Sequence, residues 1–156
     1  FGWALVLICL SRFADGLDGA VARAKGPTDF GGYLDIVADF LFYGAVPLGF
    51  ALADPAANAL PTALLLTSFY FNGATFLGFA VLAERQSMTS SRSGRKSLFY
   101  AEGLMEGTET IAFFIAACIW PQHFVWLASI FAAATFYTAV ARIVAAYRQF
   151  ETRDQT

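Results

Sequence analysis

Four aspartates lie between residues 15 and 39 of a chain that is otherwise rich in apolar residues. Asp15 and Asp18 are three residues apart, and Asp35 and Asp39 are four apart, so each pair shares one face of a helix. Four carboxylates brought together repel one another unless they are protonated or compensated by cations. Oxygen ligands without nearby Cys or His suit hard cations such as Mg²⁺, Mn²⁺ or Ca²⁺. The spacing therefore predicts a site for one or two divalent ions and a phosphate-bearing substrate.

The composition around these acids is that of a membrane protein. Of the 156 residues, 58% are hydrophobic and only 14% are charged, which is far from the mix of a soluble domain. The formal net charge is −2, so the chain has neither a polybasic surface nor the charge of a nucleic-acid-binding protein, and no nucleic acid partner is expected. Carboxylates in lipid are costly unless they are paired, metal-bound or in a wet cavity, so a functional reason is expected for them.

Five segments are apolar and long enough to cross a membrane as helices of roughly 20 residues. The fourth must include an acidic first half, because its purely apolar part is too short to cross alone. We therefore predict an all-α fold, with residues 1–156 forming a single domain that is a polytopic transmembrane helix bundle. The five predicted spans are 1–23, 32–53, 59–83, 98–120 and 124–147.

Basic residues near the ends of the predicted spans indicate the orientation, because Lys and Arg are retained on the cytoplasmic side. The loops "ADPAAN" and "WPQH" contain neither residue and are predicted to face outward. The aspartate-rich stretch and the C-terminus then lie on the cytoplasmic side, and residue 1 lies outside. The basic residues on which this depends are Arg23, Lys25, Arg85, Arg92, Arg95, Lys96, Arg148 and Arg153.

The stretch "DGLDGAVARAKGPTDFGGYLDIVAD" resembles the signature of the CDP-alcohol phosphotransferase (phosphatidyltransferase) family. That signature reads Asp, two residues, Asp-Gly, two residues, Ala-Arg, a loop, Gly, three residues, Asp, three residues, Asp. The loop 24–30 holds seven residues here, whereas the family more often has eight. The matching positions are Asp15, Asp18, Gly19, Ala22, Arg23, Gly31, Asp35 and Asp39.

The resemblance implies a phospholipid-synthesising transferase that uses Mg²⁺ or Mn²⁺. Such an enzyme moves a substituted phosphate group from a CDP-alcohol such as CDP-diacylglycerol to a small alcohol acceptor and releases CMP. Carried over by position, Asp15, Asp18 and Asp35 are metal ligands, and Asp39 is a ligand or the general base that deprotonates the alcohol. The positions expected around the cytidine and pyrophosphate are Gly19, Ala22, Arg23 and Gly31.

The resemblance also carries expectations about the whole molecule. The family is built on six helices with both ends in the cytoplasm, whereas five spans are predicted here, so the first helix of the family is expected to be absent from this sequence. Members commonly form homodimers. The chain is therefore expected to be a homodimer in a bacterial plasma (inner) membrane, with its active site facing the cytoplasm.

The signature does not identify the acceptor, and basic residues in the second half of the chain are one set of candidates. Arg142 lies inside the fifth predicted span, where it can extend to the membrane surface or reach the cavity. The remaining candidates could bind a phosphorylated acceptor, or they could serve only to keep their loop in the cytoplasm. They are Arg92, Arg95 and Lys96.

An acidic face on the fourth predicted span is the other set of candidates. Glu102, Glu106 and Glu109 lie at positions i, i+4 and i+7, so they share one side of a helix that must face into the bundle. They could bind an amine or polyol acceptor, or pair with Arg142 as a structural bridge.

Two functions outside this enzyme class compete with it. Intramembrane acids also line ion pathways, which would make the chain a small cation transporter or channel subunit. Such a protein needs acids across the full membrane depth, whereas the outer halves of the predicted spans carry no charge. A non-catalytic assembly subunit is the second alternative, and the intact aspartates count against it.

Overall fold

The computed structural model describes the backbone of residues 2–26, 28–87 and 107–150, and the side chains of all of these except residues 14–25, 86 and 87. Over this part of the chain the fold is all-α, as predicted, and contains no strand. A short 3₁₀ turn, Pro121–His123, precedes the last helix. The helices are α1 (Gly2–Lys25), α2 (Asp29–Ala53), α3 (Pro55–Ser87), α4 (Gly107–Ile119) and α5 (Phe124–Phe150).

Three of the described segments are long and apolar enough to cross a membrane: Asp29–Ala53, Pro55–Arg85 and Pro121–Phe150. They confirm the second, third and fifth predicted spans. Gly2–Phe13 and Gly107–Ile119 are shorter apolar helical stretches. The first predicted span continues through residues 14–23, whose side chains are not described, and residues 98–106 of the fourth span lie outside the described residues.

Helices α2 and α3 form a hairpin around a single non-helical residue, Asp54. The Asp54 carboxylate accepts a hydrogen bond from the Ala57 backbone N–H at 3.1 Å, and Pro55 takes the first helical position, where its missing N–H costs nothing. For this reason α3 begins at Pro55 and not at residue 59. The prediction of a longer loop, "ADPAAN", was wrong because Asp-Pro starts a helix as readily as it ends one.

Helices α3 and α5 run parallel and form the most extensive helix pair among the described residues. Phenylalanine rings meet in the same order along both helices, with centroid distances of 6.0 Å for Phe69 and Phe131 and 5.2 Å for Phe79 and Phe150. Both helices therefore end on the same side of the bundle.

The apolar core lies where α2, α4 and α5 meet. Phe50 stacks on Phe124 with a centroid distance of 4.3 Å, and Phe113 stacks on Phe131 at 4.6 Å. Fully buried alanines of α5 give these rings room, because small residues allow helices to approach closely. The cluster comprises Ile8, Phe50, Leu65, Phe113, Phe114, Ala117, Cys118, Phe124, Ala128 and Ala132.

Candidate active site

The second half of the signature begins at the capped start of α2. Thr28 is the N-cap, and its hydroxyl accepts a hydrogen bond from the Gly31 backbone N–H at 3.1 Å. A Cβ atom on Gly31 would lie 2.9 Å from that hydroxyl oxygen, so glycine leaves room for the cap. Gly31 therefore has a local structural role. Its position next to the nucleotide stays a prediction.

Asp35 and Asp39 lie one helical turn apart on α2. Asp35 is exposed, and the Asp39 side chain keeps 32% of its surface accessible. Asp39 is ten residues beyond Asp29, the first residue of α2, which places it about 15 Å along the helix. Both carboxylates are thus accessible while lying well inside an apolar helix.

Asp39 is paired with Arg12, a residue that the sequence analysis did not single out. Arg12 Nη1 donates to Asp39 Oδ1 at 3.2 Å, which joins α1 to α2. The guanidinium also lies over the Phe42 ring, 4.6 Å from its centroid, and its Nη2 donates to Ser11 Oγ at 3.5 Å. An arginine within the apolar helical stretch Gly2–Phe13 requires a compensating partner, and that rule was the available sequence signal.

The remaining aspartates lie in the chain between this pair and the turn that connects α1 to α2. Asp15 and Asp18 follow Arg12 on α1, and Asp35 precedes Asp39 on α2. Only the backbone of the α1 segment that carries these two aspartates is described, so the structure does not test whether the four carboxylates meet. Also on α1 and without described side chains are Gly19, Ala22 and Arg23.

The described acids fit part of a divalent-metal site. Asp35 and Asp39 supply the oxygen ligands that hard cations prefer, one turn apart and accessible. Among residues with described side chains, no group of three or more His, Cys, Asp or Glu comes together. The predicted set needs Asp15 and Asp18 to complete it.

Arg142 lies buried between α3 and α5, with 4% of its surface accessible. Its Nη1 donates to the Asn72 backbone carbonyl at 3.2 Å, to Asn72 Oδ1 at 2.8 Å and to Thr75 Oγ1 at 3.1 Å. The guanidinium also lies 5.6 Å from the centroid of the Phe76 ring. The Arg142 side chain therefore does not extend to the membrane surface, which was one of its two predicted positions.

A groove of about 450 Å³ opens beside Arg142, with Thr75, Phe79 and Tyr147 among its lining residues. Glu109 lies in the first turn of α4 and is exposed. The other acceptor candidates lie outside the described residues: Arg92, Arg95, Lys96, Glu102 and Glu106. The structure therefore leaves both acceptor alternatives as predictions.

The sequence model of the CDP-alcohol phosphatidyltransferase family matches residues 1–145. The chain belongs to this family. The matched range includes the whole signature, Arg12 and Arg142. Membership makes the protein a transferase of the membrane that moves a phosphatidyl-type group from a CDP-alcohol, and family members generally use divalent metals.

A curated relative of this phosphatidyltransferase is the inner membrane protein YnjF of Escherichia coli (strain K12). The two are 48% identical over 149 residues, which cover 94% of this chain and 72% of the relative. No solved structure matches the chain. The family and the apolar helices together identify an integral membrane protein.

Proposed function

We propose that this phosphatidyltransferase moves the phosphatidyl group of CDP-diacylglycerol to a small alcohol and releases CMP. The relative's name places that protein in the inner membrane. We place the reaction at the cytoplasmic face of such a membrane, because the basic residues near the helix ends orient the aspartates toward that side. One observation carries it: the last signature aspartate, Asp39, is accessible within the apolar helix α2 and is fixed there by Arg12 of α1. Ionisable residues at that depth are costly, and their presence therefore marks a functional site.

Asp15, Asp18 and Asp35 would hold one or two Mg²⁺ or Mn²⁺ ions, with Asp39 as a further ligand or as the general base. When bound, such ions neutralise the pyrophosphate and stabilise the departing CMP. Gly31, at the accessible start of α2, would lie beside the nucleotide. The other positions proposed around the nucleotide are Gly19, Ala22 and Arg23.

The proposed chemistry is a single displacement at phosphorus. The acceptor hydroxyl oxygen forms a bond to the phosphatidyl phosphorus, the pyrophosphate P–O bond breaks, and CMP leaves with the bridging oxygen. The hydroxyl proton passes to the Asp39 carboxylate and from there to water. A carboxylate held in one orientation is suited to this transfer, because proton transfer requires hydrogen-bond distance to the reacting group.

Two classes of acceptor follow from the side chains available. A phosphorylated alcohol would be bound by basic groups such as Arg95, Lys96 and Arg142, and an amine or polyol by Glu106 and Glu109. We further propose that residues 1–156 form one domain and that the enzyme works as a homodimer, as the family resemblance implies.

The proposal is tested by measuring CMP release from CDP-diacylglycerol in micelles of purified protein, with a panel of alcohols. The assay is run in Mg²⁺, in Mn²⁺ and in EDTA, and with Asp39→Asn. Glu84→Gln is the control, since it also removes one carboxylate charge, but from an exposed position on α3. Metal-dependent release with one alcohol, retained by Glu84→Gln and lost in Asp39→Asn, supports the proposal. Absence of release by folded wild-type protein with every alcohol and metal would contradict it.

A further inference from the structure

The Arg12–Asp39 pair is placed where neither partner could stand alone. Arg12 lies thirteen residues before Lys25, the last residue of α1, and Asp39 lies ten residues after Asp29, the first residue of α2. Counted from the helix ends that the connecting turn joins, the two charges are about 20 Å and about 15 Å along their helices, where a lone charge is strongly disfavoured. With 24% and 32% of their side-chain surfaces accessible, the two charges are partly shielded from solvent, which strengthens their attraction.

Arg12 is held in one position by more than Asp39. The Phe42 ring lies under the guanidinium on α2, and Ser11 accepts from Nη2 on α1. Because a planar guanidinium stacked on a ring has little rotational freedom, it is a more rigid donor than an ammonium group. The atom it holds, Asp39 Oδ1, is thus fixed relative to both helices.

Close packing of α1 against α2 does not by itself fix the position of Asp39. An apolar groove of about 570 Å³ lies between the two helices beyond the pair, lined by Ala4 and Ile8 of α1 and by Val46 and Gly49 of α2. Ser11 and Phe42 line its end next to Arg12. Because the helices leave such a space, the contacts of Arg12 with Asp39 and Phe42 hold α1 against α2 at this level.

We propose that Arg12 is a positioning residue for the transfer reaction. Its guanidinium fixes the Asp39 carboxylate through Oδ1, so that the second oxygen, Oδ2, is presented to the acceptor in a constant orientation. Its charge also offsets part of the repulsion among the signature aspartates. This inference rests on the proposed function, because it assigns Arg12 a role through Asp39.

The pair itself is tested without any reaction, in EDTA. Melting temperatures of purified wild-type protein, Arg12→Gln, Asp39→Asn and the double variant form a double-mutant cycle. Each single change leaves a charge uncompensated and is expected to lower the melting temperature by roughly 2–4 °C or more. The melting temperature of the double variant is expected to fall by clearly less than the two single losses added together. Strict additivity would show that the two charges are not energetically coupled and would overturn the proposal.

The positioning role is tested on the working enzyme by separating kcat from KM. Arg12→Gln is expected to lower kcat about 10- to 100-fold while the KM for CDP-diacylglycerol changes little, since misorientation of a reacting group affects the transition state. Arg12→Lys keeps the charge but not the planar donor over Phe42, and is expected to recover only part of kcat. Arg85→Gln, which removes an exposed arginine of α3, is the control and should retain kcat.

The kinetic measurements can overturn the positioning role of Arg12. A wild-type kcat in Arg12→Gln overturns it, and so does an Arg12→Lys variant no better than Arg12→Gln. If Arg12→Gln does not fold, Arg12→Met, which is uncharged and similar in length, replaces it in the same comparison with Arg12→Lys. Wild-type protein without metal-dependent CMP release would instead contradict the proposed function, while the cycle in EDTA would still test the pair.

Discussion

The Phe40 ring lies directly on Gly73, so that α2 and α3 touch next to Asp39. A Cβ atom at residue 73 would lie 2.5 Å from Phe40 Cε1 and 2.6 Å from Cζ, closer than atoms can approach. Glycine at this position is therefore required by the position of the ring. Because Phe40 is the neighbour of Asp39 in the chain, a shift of this ring also bears on the candidate site.

We expect Gly73→Ala to lower activity by displacing Phe40 and the adjoining turn of α2. The ring is partly exposed and can rotate, so the cost in stability should be modest, about 1–3 kcal/mol, as for overpacked cores. Gly78→Ala on the same helix is the control, since nothing lies within 4 Å of its added Cβ. That variant should be neutral or stabilised by up to about 1 kcal/mol, because alanine favours helix. Equal melting temperatures and rates for the two variants would contradict this prediction.

Removal of the Arg142 guanidinium is expected to loosen the α3–α5 pair. Arg142→Met leaves Asn72 Oδ1 and Thr75 Oγ1 without this donor in a buried site, at a cost of about 2–4 kcal/mol measured by thermal unfolding in detergent. Arg148→Met is the control, because Arg148 lies two turns later on α5 and is exposed.

The Arg142 variant also distinguishes a structural from an acceptor-binding role. If Arg142 binds the acceptor, Arg142→Lys should raise the KM for a phosphorylated alcohol while the melting temperature changes little. If its role is to join α3 to α5, stability should fall and the acceptor KM should not change. A variant with wild-type stability and kinetics would contradict both roles.

The sequence predicted those parts of the fold that depend on local composition. The spans at residues 32–53 and 124–147 are confirmed because long apolar stretches have few alternatives to a membrane helix. The start of α3 was missed because it depends on one side-chain hydrogen bond, from the Ala57 N–H to Asp54. Residues that favour turns show where a chain turns but not how many residues the turn contains.

The partners of the intramembrane arginines were beyond sequence reasoning for a different reason. Arg142 contacts Asn72, 70 residues earlier in the chain, and Arg12 contacts Asp39, 27 residues later. The cost of a lone charge predicts that each arginine has a partner, but only helix packing decides which one. For this reason metal ions were the predicted compensation for the aspartates, whereas Asp39 also has an arginine within the chain.

Gly31→Ala should weaken the start of α2 through the cap. The added Cβ would crowd Thr28 Oγ1, and loss of an N-cap hydrogen bond costs about 0.5–2 kcal/mol in thermal unfolding. Gly32→Ala, whose Cβ meets nothing within 4 Å, is the control. In a Thr28→Ala background the stability cost of Gly31→Ala should largely disappear. A KM for CDP-diacylglycerol that rises in both backgrounds would support the nucleotide role of Gly31, and an unchanged KM would contradict it.

Asp35→Asn should weaken divalent-metal binding, because Asp35 is proposed as a ligand. An amide keeps the shape of the side chain but removes the charge that hard cations prefer. Since even residues behind metal ligands contribute 10- to 100-fold, loss of a ligand should cost at least about 10-fold in Mn²⁺ affinity, measured by electron paramagnetic resonance. Asp29→Asn, in the first turn of the same helix and also exposed, is the matched control and should bind Mn²⁺ like wild type. If both variants bind Mn²⁺ as tightly as wild type, Asp35 is not a ligand, and the ions would have to be held by the carboxylates of α1 and by Asp39.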